Sequence, residues 1–175
     1  MGLALFIVLG SSKPTSILSD PNIIIINKLE IKILGSSSVN KFNCSNSFPY
    51  KDTIYLNSAT KNCLKSKISM NNFDCGHKIM NKDLKKTVKA TEFPNSTVTI
   101  TDIKPFGTDY KCNLTFQITN KTLSFKNLLL KNTNQTLEGI IALKFSDAGL
   151  LPPSKMGGLI KVKDKFTIQF YLYKS

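Results

Sequence analysis

From Phe166 to Leu172 the chain reads Phe, Thr, Ile, Gln, Phe, Tyr, Leu, so every second side chain is apolar. That is the period of a strand with one buried face. The same period recurs upstream. Leu29, Ile31 and Ile33 oppose Glu30 and Lys32, Val98 and Ile100 sit between threonines, and Cys112, Leu114, Phe116 and Ile118 alternate with Asn113, Thr115, Gln117 and Thr119. Leu123 and Phe125 open the next strand after Asn120 and Lys121, the pair expected to form a hairpin turn. Leu137, Gly139, Ile141, Leu143 and Phe145 continue the pattern on a further strand. Ser38 to Ser45 reads as a less apolar strand and Ser45 to Asn62 as a loop. Many antiparallel strands, each with one apolar face, predict an all-β barrel or sandwich, and their number and length favour closure.

Two segments depart from this period. Between Asp74 and Thr91, Met80, Leu84 and Val88 recur every four residues while Lys78, Lys82, Lys85, Lys86 and Lys89 fall elsewhere. This predicts one amphipathic helix with an acidic start and a basic end, stopped before Pro94. Between the last two strands, Pro152-Pro153 cannot donate to a ladder and Gly157-Gly158 cannot anchor one, so a rigid crossing over the molecule is expected there.

The 175 residues suit one domain, and a 41% hydrophobic, 20% charged composition is that of a folded chain. Leu3 to Leu9 is an apolar run followed by Gly10, Ser11 and Ser12. It reads as the core and cleavage zone of a secretory signal, though without a charged start, and is too short to span a bilayer. Residues 1–22 are therefore expected to be signal and linker, with the folded domain over 23–175 and the protein exported.

The net charge is +13 and every basic residue is lysine. Without arginine forks, nucleic-acid recognition is disfavoured; general attraction to anionic surfaces, or simple solvation of the surface, fits better. Catalytic patterns are missing. His77 is the single histidine, and there is neither a Gly-x-Ser-x-Gly elbow nor a glycine-rich phosphate loop. Asp83 and Glu92 fit charge pairing better than acid–base work. Cys75-Gly76-His77 lacks the paired spacing of a zinc site, so neither metal nor cofactor is expected.

In order and spacing, several segments resemble the YceI-like family of bacterial periplasmic lipid- or polyisoprenoid-binding proteins. Gly35-Ser36-Ser37-Ser38-Val39 followed by Phe42 is similar to that family's opening strand. Phe73 to Met80 resembles its strand-to-helix junction; Asp83, Leu84, Lys89, Ala90, Phe93 and Pro94 its helix and aromatic-proline exit; Asn113 to Thr122 its long hairpin. The Pro-Pro and Gly-Gly segment with Met156 is similar to a branch with cysteines where this chain has Cys44 and Cys75.

The resemblance spans about Leu29 to Leu172. It implies a lipocalin-like antiparallel β-barrel crossed by one helix, holding a long apolar chain without catalysis, in the periplasm. Isoprenoid quinones, polyprenyl carriers and fatty amides all suit such a tube. The expected lining is Phe42, Phe73, Leu114, Phe116, Ile118, Phe125, Ile141, Leu143, Ile168 and Phe170, each equally at home in an ordinary core. Lys78, Lys82, Lys85, Lys86 and Lys89 are candidates for docking on anionic membrane. Four cysteines allow three pairings; Cys44 with Cys75, each two residues after a phenylalanine, is the expected bridge, and Cys112 is read as a buried small hydrophobe. A homodimer is left open. The reading from a different class is a secreted structural or adhesive β-protein whose packed barrel binds partners through its loops.

Overall fold

The computed structural model describes residues 20–175; the expected signal at residues 1–19 lies outside them. The strands are β1 (Ile23–Ser37), β2 (Lys41–Tyr55), β3 (Cys63–Ser69), β4 (Asn95–Phe106), β5 (Asp109–Ile118), β6 (Lys121–Asn132), β7 (Thr136–Lys144), β8 (Ser154–Lys155) and β9 (Ile160–Lys174), with α1 (Lys78–Thr87) between β3 and β4. The sheet order is β2-β1-β9-β7-β6-β5-β4-β3, with β8 attached to β9, and all pairings are antiparallel. The alternating apolar residues face inward and form one core. The architecture is a nearly closed eight-stranded barrel with a single helix among the described residues.

The gap between the end strands β2 and β3 is bridged without a strand ladder. Where β2 meets β3, the Tyr50 hydroxyl donates to the Lys65 carbonyl at 2.9 Å and the Asn46 amide donates to the Ser69 carbonyl at 3.1 Å. Ser45 and Asp74 exchange two backbone hydrogen bonds of 2.8 Å, and a disulfide joins Cys44 to Cys75. Side chains thus cover edges that would otherwise expose unpaired backbone groups.

The expected loop from Ser45 to Asn62 is corrected: β2 runs on to Tyr55. Its inward positions include Asn46 and Tyr50, which serve the seam with hydrogen bonds, and Pro49 is tolerated because β2 is an edge strand. The hairpin turn lies one residue earlier than expected, at Thr119-Asn120, since Ile118 pairs with Lys121. Strand β9 starts at Ile160, before the clean alternation begins.

Helix α1 is also shorter than the span from Asp74 to Thr91. Asp74 lies before it, accepting hydrogen bonds from the Gly76 N–H and the Asn81 amide, both at 3.0 Å, and His77 caps the helix by accepting from the Ile79 N–H at 3.2 Å. The acidic start is therefore absent from the first turn, while the basic end remains in Lys85 and Lys86. The helix stops well before Pro94, where Lys89 takes a φ of 51°.

Candidate functional site

Inward side chains at one end of the barrel pack solidly: Ile26, Ile54, Ile103, Leu130 and Leu137 are essentially inaccessible. Toward the other end the packing opens into an almost wholly apolar cavity of about 150 Å³. Walls of this kind favour an apolar guest over water, and the volume is on the scale of a benzene molecule. Ser66, Asp83 and Thr87 supply its few polar groups.

Two glycines shape this space. Gly139 on β7 pairs with Phe170 on β9, and Gly35 on β1 pairs with Phe42 on β2. In each pair the phenylalanine ring occupies the volume a glycine side chain would need. The rings therefore lie back over the neighbouring strand, and the lumen keeps its width.

Of the lining expected from sequence, Phe42, Phe73, Leu114, Phe116, Ile118, Ile141, Ile168 and Phe170 border the cavity. Phe125 and Leu143 do not. Strand β6 pairs with β7 only from Leu130 to Asn132, and its earlier half diverges, carrying Phe125 to a half-buried place against the core. The turn after β7 comes against the Lys121 side chain of β6, and its buried Phe145 and Leu150 reach the cavity wall. Leu143 is buried, packed into the wall.

The expected lining missed Leu29, Ile31 and Ile33 of β1, Leu64, Ser66 and Ile68 of β3, Val98 and Ile100 of β4, and the cover of the cavity. That cover comes from two sides. Met80 and Leu84 of α1, with the buried Val88 just past its end, close one side; Phe145, Leu150 and Pro153 close the other. The period of four was the available signal for the first half. A 2.7 Å ion pair between Lys155 and Asp83 links the two sides across the mouth. No residue of α1 itself is fully buried, so the helix rests on the barrel rather than being embedded in it.

Lys78, Lys82, Lys86 and Lys89 are exposed and Lys85 is half-buried. None of the five makes an ion pair among the described residues. Cys63 and Cys112 are free; burial pushes the Cys112 thiol up to about 12, so it stays protonated. Among the described residues no group of three or more metal-ligating side chains converges.

No family model matches the sequence, and no curated protein does. The crystal structure of Burkholderia cenocepacia BcnA is similar in fold, with a TM-score of 0.54 and 15% sequence identity over 84% of this chain and 96% of that one. What the two proteins share is the barrel fold.

Proposed function

We propose that this chain is a YceI-like, non-catalytic lipid carrier, store or sensor that buries the apolar tail of a polyisoprenoid, isoprenoid quinone or fatty amide in its barrel. The observation that carries the reading is the cavity's form: apolar walls, a packed floor, and a mouth covered by a shallowly seated helix and a loop. Apolar burial contributes about 0.8 kcal/mol per methylene before ordering costs, so tail length rather than head-group chemistry governs affinity. The present volume of about 150 Å³ is below the roughly 300–1,000 Å³ of drug-sized pockets. A long tail therefore requires α1 and the Phe145–Pro153 loop to move outward, and the head group stays near Asp83 and Lys155 at the mouth.

The Cys44–Cys75 disulfide supports export to an oxidising compartment such as the periplasm. The exposed lysines of α1 support attraction to anionic membrane. No cofactor or nucleic acid enters this account.

The modest cavity volume also favours a second reading, a secreted structural or adhesive barrel acting through its loops. Titration with polyprenyl phosphate separates the two. A carrier binds it at one per chain, loses it in Phe116→Glu, and loses it again in Val98→Phe, which fills the cavity without introducing charge. Absence of binding by the parent protein, or equal binding by a folded Val98→Phe variant, would contradict the assignment of the lumen.

A further inference from the structure

We propose that the barrel's mouth docks on the surface of an anionic phospholipid bilayer through a ring of exposed apolar side chains around it. This deepens the carrier reading by naming the surface that supplies the ligand, and rests on it only for that purpose. Five large apolar residues stand in solvent at this end: Val39 at 61% exposure, Ile79 at 56%, Leu151 at 85%, Met156 at 70% and Leu159 at 75%. They come from four separate segments, so the pattern is not the accident of one loop.

Hydrogen bonds fix their proximity. The Ser38 N–H donates to the Lys161 carbonyl at 2.9 Å and the Ser38 hydroxyl to the Leu159 carbonyl at 3.2 Å, which brings the Val39 turn beside the β8–β9 hairpin. The Lys155–Asp83 pair joins that hairpin to α1, next to Met156 on one side and one helical turn from Ile79 on the other. Leu151 lies between Leu150 and Pro153, which both line the cavity.

The charge around the ring selects the partner. Lys41, Lys78, Lys82, Lys161 and Lys163 are exposed in the same segments. Of the nearby acids only Asp83 has an ion-pair partner, Lys155; Asp74, Asp147 and Asp164 accept hydrogen bonds from neutral groups and are outnumbered by these lysines. Apolar prongs amid lysines match the boundary between acyl chains and anionic head groups. A second copy would bring lysines against lysines.

Vesicle flotation tests this, with phosphatidylglycerol and phosphatidylcholine in equal parts against phosphatidylcholine alone. The parent protein should float with the anionic vesicles and dissociate in high salt. The combined Leu151→Ser, Met156→Ser and Leu159→Ser variant should keep its circular dichroism and lose at least about tenfold in vesicle affinity. Because the chain has no tryptophan, Leu159→Trp supplies a single reporter whose emission should shift to the blue on docking. Failure of the parent to bind, equal binding by the serine variant, or a dimer that the serine variant dissociates would overturn the proposal. Lumen occupancy, read separately by mass, distinguishes this failure from that of the carrier reading.

Discussion

The ring of Phe170 fills the space above Gly139, its direct partner on the neighbouring strand, where any larger residue would place its side chain. A glycine inside a strand ordinarily costs stability, and an aromatic laid across it recovers the lost packing. Here the arrangement also keeps the ring back from the centre of the lumen. Gly139→Ala should push the ring inward, cost about 1–3 kcal/mol through overpacking, and weaken lipid binding. Chemical denaturation of Gly139→Ala and of the double variant with Phe170→Leu checks this; the second substitution should recover most of the lost stability.

The disulfide closes a segment of 31 residues of sequence separation and fastens the approach to α1 onto β2. Replacing Cys44 and Cys75 together by serine should cost about 2–4 kcal/mol. Alkylation followed by mass determination reads the thiols directly. In the folded, unreduced protein only the half-buried Cys63 should react; unfolding should add the buried Cys112, and reduction should add Cys44 and Cys75.

On the outer face, Tyr173 donates to Glu30 at 2.6 Å. This bond, with Lys32 and Lys28 nearby, holds the Glu30 carboxyl below its ordinary 4.5, while Glu30 pushes the Tyr173 phenol up to about 12. A lowered acid stabilises the fold above its unfolded pKa and loses that contribution as pH falls through its folded one. A raised phenol contributes fully below pH 10 and loses its contribution as pH rises toward about 12. Thermal unfolding across pH should therefore show falling stability below pH 4.5 and above pH 10, and Glu30→Gln should reduce both slopes.

The Lys155–Asp83 pair is partly exposed and contributes about 0–1 kcal/mol to stability. Its removal should instead act on access to the cavity. Lys155→Gln should leave the melting temperature nearly unchanged while speeding the exchange of a bound lipid, followed by transfer to acceptor vesicles. Unchanged exchange would mean that the two sides of the mouth part without breaking this contact.

The alternation from Cys112 to Ile118 and from Phe166 to Leu172 made the barrel walls legible, because there every second residue is buried and the ones between are not. The stretch of β2 beyond Ser45 was not legible. Its inward Asn46 and Tyr50 are polar since their task is to bridge the seam to β3, a long-range relation that no local period records. The misplaced hairpin turn has a local cause: Thr119 takes a φ of 52°, a conformation more usual for asparagine or glycine. Of the cavity, the walls on β5 and β9 followed from alternation, those on β3 were missed, and Phe125 failed because β6 diverges from β7. The cover was half visible, in the Met80, Leu84 and Val88 stripe, and its fastening to Lys155 depends on segments far apart in sequence.

The most direct test of the lipid-carrier account is native mass spectrometry of the protein purified without detergent, followed by organic extraction and identification of whatever is released. The account predicts one long-chain lipid per chain, or stoichiometric uptake of added polyprenyl lipid by an empty protein. A chain that emerges empty and refuses added polyprenyl lipids would contradict it.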